Sequence, residues 1–137
     1  MVTVVRDQQT QVGPSGSYGT GTVRESAVLT TTDATATVIY STPAVATGEA
    51  VVVKALVVGK KSDGTAAAGI EKIATFRRQA AGNVTLVGAV QGTTQTDGVT
   101  PAITIAANTT AQTAEVKVTG IAEETWLWEA HVTFCKL

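Results

Sequence analysis

The residues with chemical reach in this chain are few and scattered. A single histidine, His131, stands four positions before the single cysteine, Cys135. On a helix that spacing would put both side chains on one face. The surrounding text, TWLWEAHVTF, alternates like a strand, where the two lie about 13 Å apart at roughly 3.3 Å per residue, too far to share one metal ion. No second histidine or cysteine exists to complete a site. Asp33, Asp63 and Asp97 each precede Ala or Gly in turn-like contexts on three separate loops, the setting in which Asp bonds its own backbone. For nucleophilic catalysis the only imidazole base is His131, with no Gly-x-Ser-x-Gly elbow beside it. A carboxylate pair for glycoside cleavage would have to come from Glu123 and Glu124, or from Glu25 and Glu49, mostly at strand ends. The run Gly16-Ser17-Tyr18-Gly19-Thr20-Gly21 has neither the Gly-Lys-Ser/Thr of a Walker loop nor the flanking strand and helix of a dinucleotide loop. The residues therefore assign no catalytic group, no metal and no cofactor, and the chain reads as something other than an enzyme.

Bulk properties narrow the choice further. The chain has 137 residues, 44% of them hydrophobic, a length that suits one domain with one core. Thr, Val, Ala and Gly dominate and aromatics make up only 4%, so the apolar content is β-branched or small and favours strands. Ten basic residues against eleven acidic ones, with Lys60-Lys61 and Arg77-Arg78 as the densest basic pairs, give no footprint for a nucleic acid or an anionic membrane. No stretch approaches the roughly 20 apolar residues of a membrane span. The opening MVTVVRDQQTQ lacks the basic start and apolar core of a secretion signal, and a lone cysteine excludes a disulfide framework within the chain. Synthesis and folding in a reducing cytoplasm are expected.

The elements follow from period-2 patterning. VGPSGSYGTG, residues 12 to 21, is too rich in Gly, Ser and Pro for a regular element, so residues 1–21 read as an extended arm or linker ahead of a domain over 22–137. At about 3.3 Å per residue the arm could extend roughly 70 Å, enough to touch a neighbouring subunit. Eight strand-like runs follow: TVRESAVLT, TATVIYST, EAVVVKALVVGKK, IEKIATFRRQ, NVTLVGAVQG, AITIAA, AEVKVTG and TWLWEAHVTF, separated by turn signals such as Ser62-Asp63-Gly64 and Thr96-Asp97-Gly98. IEKIATFRRQ also fits a helical stripe through Ile70, Ile73 and Phe76, but its neighbours are strands of matching length. In TWLWEAHVTF, Trp126, Trp128, Ala130, Val132 and Phe134 share one face and Leu127, Glu129, His131, Thr133 and Cys135 the other. The pattern predicts an all-β antiparallel sandwich of about eight strands, of which a jelly roll is one arrangement. Two tryptophans on one face of a regular strand usually mark a core, although Trp126 could also stack on a sugar or fill an interface.

Placed in order, Thr31-Thr32-Asp33-Ala34-Thr35, the turn Val57-Val58-Gly59-Lys60-Lys61-Ser62-Asp63-Gly64-Thr65, Phe76-Arg77-Arg78 leading to Leu86-Val87-Gly88, and the late Val118-Thr119-Gly120 then Trp126-x-Trp128 resemble a β-module of tailed-bacteriophage virion proteins. The resemblance covers residues 29 to 134 or so. It implies a structural virion protein made in the host cytoplasm: a capsid decoration (cement) or head-fibre protein, usually trimeric, that stabilises the shell by binding the major capsid protein or another virion protein. On that reading Val2, Val4, Val5, Tyr18, Arg24 and Trp126 are the assembly contacts, with the arm lacing onto a neighbour. The alternative it leaves is a tail-fibre module recognising host carbohydrate, with Tyr18, Tyr40 or Trp126 as stacking platforms.

Overall fold

The computed structural model describes residues 22–98 and 101–137, and residues 3–5 through their backbone. The described residues form nine strands and no helix: β1 (Thr3–Val5), β2 (Thr22–Thr31), β3 (Ala36–Ser41), β4 (Ala50–Lys61), β5 (Ala67–Arg78), β6 (Val84–Thr96), β7 (Ala102–Asn108), β8 (Thr113–Thr119) and β9 (Trp126–Lys136). Strands β2 to β9 are the eight runs read from the sequence. They pair antiparallel throughout, in a six-stranded sheet ordered β1-β2-β9-β4-β5-β6 and a three-stranded sheet ordered β3-β8-β7. The chain crosses between sheets at β2–β3, β3–β4, β6–β7 and β8–β9, as a jelly roll would, but β4, β5 and β6 stay together as a meander in one sheet. Tight turns explain this. Asp63 and Gly64, the latter at φ +76°, close the β4–β5 hairpin, and Gly82 donates to the Gln79 carbonyl at 3.1 Å in the β5–β6 turn. Both connections fold back as hairpins within the sheet.

The ambiguous run IEKIATFRRQ lies within β5, bonded on one side to β4 and on the other to β6. Period 2 prevails over the helical stripe because Ala68, Ile70, Ala74 and Phe76 all turn inward and are buried, whereas Ile73 turns out. Strand β6 slips its register between Thr75↔Val87 and Ile73↔Gln91, and the extra residues are taken up at Gly88, φ +70°. Nothing in the sequence announced that bulge.

The core lies between the two sheets. Leu29 of β2, Val51, Val53 and Val57 of β4, and Trp126, Trp128, Val132 and Phe134 of β9 meet Ile39 of β3, Ile103 and Ile105 of β7, and Val116 and Val118 of β8. Trp126 and Trp128 stack with ring centroids 5.6 Å apart, and each indole N–H is satisfied, Trp126 donating to Glu124 at 2.8 Å and Trp128 to the Thr31 hydroxyl at 2.9 Å. Both polar handles must be met because an unpartnered buried donor costs about 1–3 kcal/mol. Gly59 makes room for the pair: a Cβ there would overlap the six-membered ring of Trp128. Gly59→Ala is therefore expected to destabilise the domain by about 2–3 kcal/mol, since the added methyl overlaps the ring and forces Trp128 or the strand to shift. Urea unfolding of the variant beside the wild type reads this directly.

Candidate functional site

Burial of one sheet face leaves the other to be accounted for. The side of the six-stranded sheet turned away from the core is covered by no described element, and its side chains fall into rows set by the register. Thr30, Leu127 and Lys60 form one row; Val28, Glu129 and Val58 the next; then Ser26, His131, Leu56 and Glu71; then Arg24, Thr133, Lys54 and Ile73; and finally Thr22, Cys135, Val52, Thr75 and Val87. Among the described residues seven large apolar side chains are exposed, and six of them, Val28, Val52, Leu56, Val58, Val87 and Leu127, stand on this one face. Leu56 and Val58 are the most open of the six, at 51% and 52%. Singly exposed apolar residues need no explanation, but six on one face of one sheet make that face a candidate contact surface.

Two adjoining hollows run along it. One, of about 640 Å³, lies among Val28, Thr30, Val58, Lys60, Leu127 and Glu129; the other, of about 480 Å³, lies among Arg24, Ser26, Lys54, Leu56, His131 and Thr133. The face carries Arg24, Lys54 and Lys60 beside Glu71 and Glu129. Lys54 Nζ is 3.1 Å from Glu71, and His131 Nε2 is 3.1 Å from Glu129. Exposed pairs of this kind contribute little to stability.

The residues singled out for chemistry are occupied by the fold. Asp33 and Asp63 each accept from the backbone N–H two residues on, at 2.7 and 2.9 Å, and Asp97 accepts from Ala67 N at 3.0 Å. Those bonds hold the Asp33 and Asp63 carboxyls below the usual aspartate range, led by the Thr35 backbone N–H for Asp33 and by the Thr65 hydroxyl for Asp63. Glu124 is lowered first by the Trp126 indole and then by Lys61, and Glu49 first by Lys136, 2.7 Å away. Glu115, lowered mainly by the Asn108 amide, joins β7 to β8. These carboxylates close turns and sheet ends, and no three metal-ligating side chains converge among the described residues.

Of the expected assembly contacts, Arg24 is exposed on the outward face and lines the smaller hollow. Trp126 is corrected: it is fully buried, because its indole stacks on Trp128 and bonds Glu124 between the sheets. Tyr40, offered as a sugar platform, is likewise core, 5% exposed against Phe134. Val2 and Tyr18 lie outside the described residues, as do the side chains of Val4 and Val5. In backbone, Val4 pairs with Ala27 and Val5 with Ser26, so this part of the arm segment runs along the domain's own edge. Sequence reasoning missed Val28, Val52, Leu56, Val58, Val87 and Leu127. The signal was present in EAVVVKALVVGKK, where Val52, Leu56 and Val58 share the outward alternation with Lys54 and Lys60, more apolar than a solvated strand face usually reads. No protein-family model matches the chain, and no curated protein matches it.

The lowered carboxylates set the acid response. A folded-state pKa below the unfolded one contributes stability that is complete above the unfolded value and is lost as pH falls through the folded one. For Glu49, Glu115 and Glu124 the loss begins as pH drops past their ordinary 4.5, and for Asp33 and Asp63 past 3.8. Melting temperatures from pH 7 to pH 3 are expected to stay level to about pH 5 and then fall, with Glu124→Gln showing a shallower fall from a lower start.

Proposed function

We propose that this protein is a structural component of a tailed-phage particle, a capsid decoration or head-fibre protein that stabilises the shell through surface burial. The observation that carries this reading is the outward face of the large sheet, where six exposed apolar side chains are interleaved with charged ones. Such a face is suited to permanent contact and offers no converging reactive groups to a substrate. The segments that carry the resemblance to phage virion modules are framework here: the Lys61–Thr65 turn joins β4 to β5, Phe76 to Arg78 ends β5, and Trp126 to Trp128 opens β9. The partners are the major capsid protein or another virion protein, further copies of the chain in a trimer as the resemblance implies, and the location is the virion.

Affinity on such a surface is built from area and repetition. Apolar burial contributes about 25 cal/mol per Å² before the costs of association are subtracted, so one contact is modest. Symmetric repetition over a shell multiplies it. The carbohydrate-binding alternative loses two of its three stacking platforms, since Trp126 and Tyr40 lie in the core.

Immunogold electron microscopy of purified particles from the source of the sequence tests the proposal. Label distributed over the head is the expected result. Label confined to the tail would transfer the protein to a receptor-binding role, and particles free of label would overturn a virion role.

A further inference from the structure

The outward face of the large sheet is apolar at its centre and cationic towards its margins. Leu56 and Val58 stand on β4, an inner strand, with Leu127 on the neighbouring β9 and Val28 on β2 beyond it. Arg24 and Lys54 share the row on one side of Leu56, and Lys60 stands two rows away on the other. Arg77, opposite Ala50 in the row beyond Val52, adds a fourth cation. The carboxylates of these rows are Glu71 and Glu129, each 3.1 Å from a partner in the chain, Lys54 and His131. Glu25 follows Arg24 in sequence but is carried to the other side of the sheet with Val132. Arg24, Lys60 and Arg77 are exposed and make no ion pair with any described residue. The face thus holds three unanswered cations in a chain whose formal net charge is −1.

We infer that this face receives an acidic surface of a different protein, apolar at its centre and placing Asp or Glu side chains over Arg24, Lys60 and Arg77. The inference rests on the assembly reading above and states the chemistry of the partner. Spacing is the first argument. With strands about 4.8 Å apart and residues rising about 3.3 Å, Lys60 and Arg77 are each roughly 20 Å from Arg24 and roughly 30 Å from one another. Those separations exceed the Debye length of about 8 Å at physiological ionic strength, so no single small anion answers two of the three. What meets them all has the breadth of a protein contact, in which each side buries about 800 Å².

The mixture of side chains is the second argument. A phosphate polymer or an anionic bilayer would set its phosphates against Glu71 and Glu129 as well as against the cations. A second copy turned onto the same face would bring its own excess of cations. A protein patch with an apolar middle and an acidic margin suits both features together. Leu56, Val58 and Leu127 leave water against its centre, while carboxylates at its rim fix the register and speed the encounter. The alkyl stems of Arg24 and Lys60 extend the apolar contact and leave their charged heads at the edge.

Two fluorescent peptides of equal length, Glu-Glu-Leu-Val-Leu-Val-Glu-Glu and Lys-Lys-Leu-Val-Leu-Val-Lys-Lys, and an oligothymidylate are titrated into the full chain, with anisotropy and backbone amide shifts as readouts. The wild type is compared with Leu56→Ser, with the triple variant Arg24→Glu, Lys60→Glu, Arg77→Glu, and with Thr104→Glu on the outer side of the small sheet, circular dichroism establishing that each is folded. The expected result is binding of the acidic peptide, weakened by added salt, with shifts centred on β2, β9, β4 and β5. The triple variant should lose roughly ten-fold or more in affinity and Leu56→Ser roughly five-fold, while Thr104→Glu behaves as wild type. No acidic-peptide binding at millimolar concentration, equal binding of the lysine peptide, or tighter binding of the oligothymidylate would overturn the inference. So would self-association of the wild type that the triple variant abolishes. Acid-selective binding at this face together with unlabelled particles would keep this inference and remove the virion reading; labelled particles with a face indifferent to the acidic peptide would do the reverse.

Discussion

Alternation along hydrogen-bonded strands is the constraint from which this structure follows. Once β9 is held in register by β2 on one side and β4 on the other, every second side chain must go in and every other one out. Trp126, Trp128, Ala130, Val132 and Phe134 take the inward positions, and the small sheet closes over them. Leu127, Glu129, His131, Thr133 and Cys135 have no choice but to face out. The same rule applied to β4 sends Val51, Val53 and Val57 into the core and sets Val52, Leu56 and Val58 outward between Lys54 and Lys60. A slip of one residue would exchange them.

The tryptophan pair shows how little tolerance the inner side has. Two large rings are accommodated between sheets otherwise filled by valine, isoleucine and alanine because Gly59 contributes no side chain beneath Trp128. Their N–H groups are met by Thr31 on the neighbouring strand and by Glu124 just before the strand begins. Glu124 in turn holds Lys61 at 3.2 Å, so the end of β4, the approach to β9 and the aromatic core are tied in one network.

Much of this was legible in the residues. Eight strands, their approximate limits and the inward face of β9 follow from period 2, and the turn roles of Asp33 and Asp63 follow from side-chain reach. Strand order was not legible, because antiparallel pairing between distant strands leaves no local mark: β2 and β9 are neighbours through the pair Thr31↔Trp126 although most of the domain lies between them in sequence. The division into sheets of six and three strands was equally hidden, and with it the uncovered face. Val52, Leu56 and Val58 look like any buried strand in sequence, and only the count of strands available to cover them shows that one side is open.

That distant pairing has a consequence for when the protein becomes competent. The β4–β5–β6 meander is local, whereas the β2–β9–β4 ladder brings together the first and last strands of the domain and carries the larger loop-closure cost, which favours its closing last. The outward face takes in the three strands that this last step unites together with β5 and β6. A chain that has made its secondary structure but has not yet inserted β9 presents two unfinished edges and no continuous surface. Topology alone thereby makes the continuous face a product of complete folding, and a partly folded copy lacks it.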